Sequence, residues 1–196
     1  MIRTNINKNF PHHLNNCIVT SNTIYVADYT EQTKTLPVKR GTELFDNMPP
    51  TDISYFTVSN PNSLEVDGIP FDNSSFVKPN GKTASQCECV IYPHKSNNNS
   101  WICFIELKYS SIIDNNTKNL NKARLQLFRT RHHYMSKGVF GKTNTCYLLA
   151  SLPLQFPPFA HMSLTAAYLL QMKRKHNLVI RFQNSVEIVD DKQITV

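Results

Sequence analysis

Two apolar runs separated by a polar loop give this chain its clearest pattern. Gln86 to Tyr92 and Trp101 to Tyr109 each read as a strand, joined by Pro93 to Ser100. The second run is apolar on both faces, as in a central sheet strand. A 3.6-residue period follows over Thr117 to Lys137, stopped by Gly138. Its stripe holds Leu120, Ala123, Leu127, Phe128, Tyr134 and Met135, with Arg124 and Arg131 among them. Next come a buried strand over Thr145 to Ser151, a proline-rich loop and a helix over about His161 to His176. A closing hairpin is expected to pair Leu178–Phe182 with Val186–Val189.

Before residue 86 the pattern is weaker and rich in Asn, Pro, Thr and Ser. Cys17 to Thr20 and Thr23 to Ala27 read as a hairpin around Ser21-Asn22, and Ile53 to Val58 as a strand. Thr42 to Met48 reads as a short helix stopped by Pro49-Pro50, and Val66-Asp67-Gly68 as a turn. The order predicts one α/β domain over 1–196, with a mixed central sheet between helices. Residues 1–85 form a strand- and loop-rich N-terminal part and 86–151 the core.

Three polar residues break the two central strands: Glu88, Glu106 and Lys108. Burying them is costly, which marks them as functional candidates. Glu106 and Lys108, two apart, share a strand face with Ile102 and Phe104. Glu88 joins them if the hairpin register is antiparallel and correct. Two carboxylates beside an ammonium make a hard-oxygen site for Mg²⁺ or Mn²⁺. The bland alternative is a solvated pair on a surface hairpin.

An acid on one strand, then Glu106-Leu107-Lys108 ending the next, resembles the PD-(D/E)xK nuclease superfamily. The resemblance covers roughly residues 86–151, with Glu88 where the family usually has Asp. It implies a restriction-endonuclease-like core and a metal-dependent phosphodiesterase. Glu88, Glu106 and the Leu107 carbonyl would hold the metal, and Lys108 would be the catalytic lysine. Gln126 matches the polar residue often found on the family's following helix. An upstream acid from a preceding helix is also common; Glu43, Glu65 and Asp72 are the candidates, and no first helix is evident.

Charge extends the picture. Lysine and arginine outnumber aspartate and glutamate to give a net charge of +7, which suits a polyanionic partner. Lys122 and Arg129 on the outer helix face suit phosphate contacts, and Arg124 and Arg131 could snorkel or reach into the site. DNA is the first expectation for the substrate, ahead of RNA, in a defence or mobile-element role. A homodimer or an activating partner protein is compatible with this. The runners-up are a catalytically inactive nucleic-acid-binding or structural subunit with the same fold, and a protein-interaction module. No apolar run is long enough to cross a membrane, and the expected location is cytoplasmic. Five cysteines fit buried thiols. Cys87 and Cys89 are expected on one strand face with Glu88 on the other. A zinc site from Cys87, Cys89, His94 and Cys103 has no standard spacing.

Overall fold

A computed structural model describes residues 1–160 and 164–196. In chain order the elements are α1 (Ile2–Asn9), β1 (Ile18–Thr20), β2 (Ile24–Asp28), α2 (Thr30–Thr33), β3 (Thr42–Phe45), β4 (Phe56–Ser59) and β5 (Val66–Pro70). They continue with β6 (Cys89–Pro93), β7 (Ile102–Leu107), α3 (Asn116–Ser136), β8 (Cys146–Ser151), α4 (Ala166–His176), β9 (Leu178–Phe182), β10 (Ser185–Ile188) and β11 (Ile194–Thr195). The strands form two mixed sheets. The first has the order β1-β5-β6-β7-β8-β9, the second β11-β10-β4-β2-β3. The fold is α/β, as expected, with helices packed on a mixed sheet.

The first sheet is antiparallel from β1 to β7 and parallel from β7 to β9. Strands β6, β7 and β8 are buried at every position. The reason is cover on both faces. On one face Ile102, Phe104 and Leu148 pack against Ile2 and Ile6 of α1 and Leu120, Ala123, Leu127 and Tyr134 of α3. On the other, Cys103, Ile105 and Leu149 pack against Ile24, Val26, Phe56 and Val186 of the second sheet. The sheet therefore lies between a helix layer and a second sheet, where the sequence pattern suggests helices on either side.

The central expected hairpin is present as the antiparallel pair β6–β7, whereas the first and last expected hairpins are crossovers between the sheets. β1 pairs with β5 in the first sheet while β2 pairs with β3 and β4 in the second. At the other end of the chain, β9 pairs with β8, and β10 with β4 and β11. In each case a two- or three-residue link changes layers. Thr42 to Met48 is also corrected: Thr42–Phe45 is a strand in antiparallel register with β2, Val26 facing Leu44. The expected turn at Val66-Asp67-Gly68 is the buried strand β5. A Cβ at Gly68 would sit 2.8 Å from Leu44 Cδ1 and 3.2 Å from Ile18 Cγ1, so glycine here allows the sheets to approach. Gly68→Ala is expected to cost about 1–2 kcal/mol of stability by overpacking, read from the denaturant midpoint.

A first helix exists after all. α1 carries Ile2 and Ile6, both fully buried, four residues apart. The Met1 amine donates to the Ser96 carbonyl at 2.7 Å and Ile2 N–H to Ser96 Oγ at 3.0 Å. It holds no acid, so it supplies none to the core. The expected helix from His161 runs over Ala166–His176, capped by Thr165 Oγ1; His161 itself lies outside the described residues. No described helix is long and apolar enough to cross a membrane.

Candidate active site

The carboxyl end of β7 meets the amino end of β6 at one end of the central strands, the end where ligands bind in open α/β sheets. Glu106 stands there with no exposed surface, and the Lys108 ammonium donates to its Oε1. Lys108 N–H donates to the Ser151 carbonyl at 2.9 Å, prolonging the ladder past β7. Cys89 faces Ile105, and Glu88 N–H donates to the Ile105 carbonyl at 3.0 Å, which brings Glu88 beside Glu106.

The expected pleat fails one residue before β6. Cys87 joins the helix-side core while Cys89 packs toward the second sheet, so they do not share a face. Helix α3 draws the lead-in aside. Cys87 N–H donates to Thr130 Oγ1 at 2.8 Å, and Gln126 Nε2 to the Gln86 carbonyl at 2.8 Å. Gln126 and Thr130, one helical turn apart, thus fix the segment that presents Glu88. Thr130→Val should cost about 1–3 kcal/mol by stranding the Cys87 N–H, measured by chemical denaturation.

The second sheet contributes too. Thr42 Oγ1 donates to Glu88 Oε2 at 2.6 Å. Asp28, at the end of β2 and directly across from Thr42, lines the same cleft as Glu88. Its backbone N–H donates to Tyr109 Oη, and its Oδ1 accepts from Thr30 N–H and Oγ1. The sequence gives one signal for Asp28: an acid closing the apolar run Ile24-Tyr25-Val26-Ala27. Of the three upstream candidates, Glu43 and Glu65 lie away from the cleft and only Asp72 lines it. Glu43 is held by Arg40 at 2.7 and 2.6 Å. Glu65 lies near His94, at the opposite end of β6. Asp72 is on the cleft wall, where hydrogen bonds from Ser74 and Ser75 hold its carboxyl below the usual range.

Crowding of acids sets the electrostatics. Burial, then the Glu88 charge, push Glu106 well above the ordinary carboxylate range, only partly offset by Lys108. Burial and Asp28 push Glu88 up to about 7, against the Thr42 hydroxyl, Lys108 and a hydrogen bond shared with Glu106. With both acids ionised, Glu106 Oε2 is buried without a donor; so are Gln86 Oε1 and Gln126 Oε1. Each of these atoms is an acceptor, and both glutamines line the cleft. Oxygens lacking donors suit a hard, hydrated cation. Among the described residues, no three His, Cys, Asp or Glu side chains enclose an ion by themselves. A cation bound to Glu88 and Glu106, with the Leu107 carbonyl between Glu106 and Lys108 on the chain, would therefore keep several waters. Water O–H groups are the donors these oxygens lack. The donor set thus fits Mg²⁺ or Mn²⁺. It does not fit zinc: Cys87, Cys89 and Cys103 are split between two cores, and His94 bonds Asp67 at 2.7 Å.

The cleft has a volume of about 620 Å³. Its cations are Lys34, Lys39 and Arg40, whereas none of Lys122, Arg124, Arg129 and Arg131 lines it. Arg131 hydrogen-bonds Cys146, at the start of β8, while Glu106 faces Ala150 near that strand's other end. Arg129 is exposed, Arg124 is partly buried, and exposed Lys122 lies close enough to Glu31 to lower its pKa. No protein-family model, curated protein or solved structure matches this chain.

Proposed function

We propose that this chain is a metal-dependent nuclease that hydrolyses phosphodiester bonds, with DNA as the first substrate to test. The observation that carries the reading is the clustering of Glu88, which lines the cleft, with the Glu106–Lys108 pair on the adjacent strand end, and a buried Glu106 oxygen that has no donor. The resemblance to the PD-(D/E)xK superfamily adds to it: an acid beside one strand, Glu-x-Lys at the end of the next, then a helix and a parallel strand. A divalent cation held by Glu88 and Glu106 supplies a bound water of lowered pKa and neutralises charge on the phosphoryl group. Lys108, fixed by Glu106 and 17 % exposed, can hold a proton at the attacking water or stabilise the charge that grows on the phosphorane oxygens. Gln126 acts on Glu88 through the Gln86 carbonyl.

The test is incubation of the chain with plasmid and with labelled oligonucleotides, under Mg²⁺, Mn²⁺ and EDTA. Cleavage with either metal and none with EDTA is expected. Salt-sensitive binding without cleavage under both metals would overturn catalysis and leave a nucleic-acid-binding subunit.

A further inference from the structure

The segment between β2 and β3 forms one wall of the cleft and answers none of the needs of the core. It runs from α2 through Lys34-Thr35-Leu36-Pro37-Val38-Lys39 to Arg40. Its base is built rigidly. Thr33 Oγ1, on a buried residue, donates to the Arg40 carbonyl at 3.2 Å, and Arg40 N–H donates to Thr33 Oγ1 at 2.9 Å. The Arg40 guanidinium stacks 3.4 Å from the Tyr29 ring centroid and is engaged by Glu43 and Asp52. Arg40 is thus a strut. The tip is different. Lys39 has no carboxylate partner among the described residues, and Lys34 has only the exposed Glu31, 2.6 Å away. An exposed pair of that kind is worth at most about 1 kcal/mol and is readily exchanged. Between the two lysines, Leu36 and Val38 stand 50 % and 75 % exposed on the outer part of the segment, beside the cleft and outside its lining.

We infer that this wall binds the backbone and bases of a single-stranded polynucleotide, with Lys34 and Lys39 on its phosphates and Leu36 and Val38 against an unstacked base or sugar. The inference rests on the nuclease reading for the direction of the strand, which must bring one phosphate to Glu88, the member of the proposed site that lines the cleft. Two points select a single strand over a duplex. A duplex buries its base faces in the stack and offers nothing apolar to Leu36 and Val38, whereas a single strand offers both charge and apolar faces. The cleft volume is that of a small-ligand site, within the usual range of roughly 300–1,000 Å³. Its far wall carries Asn73, Thr83, Ser85 and Gln86, uncharged groups suited to base edges, and a single acid, Asp72.

The experiment is fluorescence anisotropy with a labelled oligothymidylate and with a duplex of equal length. It is run on Lys108→Ala chain so that the probe stays intact, over a series of KCl concentrations with Mg²⁺. Lys34→Gln with Lys39→Gln is expected to weaken single-strand binding tenfold or more. It should also lower the slope of log affinity against log salt by about 1.4, two single-strand phosphate contacts. The charge-matched Lys8→Gln with Lys192→Gln control leaves that slope unchanged. Leu36→Ser with Val38→Ser weakens binding by a similar factor at every salt concentration, with the slope intact. An unchanged slope in the lysine variant, equal or tighter binding of the duplex, or no binding at low salt would each overturn the inference. Binding that depends on Lys34 and Lys39 in a chain that cleaves under no metal would keep it and overturn the nuclease reading alone.

Discussion

Lys108→Met is expected to lower metal-dependent cleavage by about 10²- to 10³-fold, the usual cost of removing one preorganised group that faces developing charge. Glu106→Gln should fall at least as far, because it removes a charged metal ligand and the negative partner of Lys108 together. The two differ in stability. Lys108 is the cation bonded to the buried Glu106, so its loss leaves a carboxyl that must take up a proton or stay charged and unpaired. Lys108→Met is therefore destabilising above neutral pH. Glu106→Gln removes one of two mutually repelling acids and keeps an acceptor for Lys108, so the metal-free chain should hold its denaturant midpoint. Cleavage rates and urea titrations of the same samples separate the effects. Wild-type cleavage by either variant would remove the site from these residues.

The parts of this site that the sequence carries are those set by local period. Glu106 and Lys108 lie two apart at the end of a strand buried at every position, and no alternative pairing changes their common side. Helix α3 follows its stripe within one residue at either end, and four of the six stripe residues are fully buried. Phe128 and Met135 flank that core, and Arg131 turns its guanidinium to Cys146 instead of the cleft.

What local pattern does not carry is the choice of partner. Ile18–Thr20 and Ile24–Asp28 look like a hairpin because a short polar link joins two apolar runs, yet each run buries its face in a different layer. The same holds for Leu178–Phe182 and Ser185–Ile188. Asp28 shows in the sequence only as an acid closing an apolar run; its place in the cleft beside Glu88 depends on the second sheet lying against the first. Glu88 shows a subtler limit. Alternation sets it opposite Cys87 and Cys89, but side chains of α3, more than thirty residues on, take the lead-in out of the pleat. Helix α1 is poor in helix formers, and tertiary burial of Ile2 and Ile6 outweighs that propensity.

The second large expected effect is a stability that runs against the usual direction in pH and is reversed by metal. Glu88 has its carboxyl raised from an ordinary value near 4.5 to about 7, and Glu106 is also raised well above its ordinary value, by burial and then by the Glu88 charge. Between the unfolded and folded values the folded chain holds more protons than the unfolded one. Its stability therefore falls as pH rises through that window. For Glu88 the loss is on the order of 3 kcal/mol between about pH 4.5 and 7, and Glu106 adds to the decline in the same direction. A divalent cation replaces those protons and binds the ionised acids alone, so its apparent affinity rises with pH. Addition of Mn²⁺ should raise the melting temperature strongly at pH 8 and hardly at pH 5. Urea denaturation from pH 4.5 to 8, with EDTA and with Mn²⁺, reads both trends. Glu88→Gln should flatten the metal-free decline and abolish most of the metal's effect at pH 8. A metal-free stability that is level or rises over this range would mean that the two acids are not buried together, and the site would lose its physical basis.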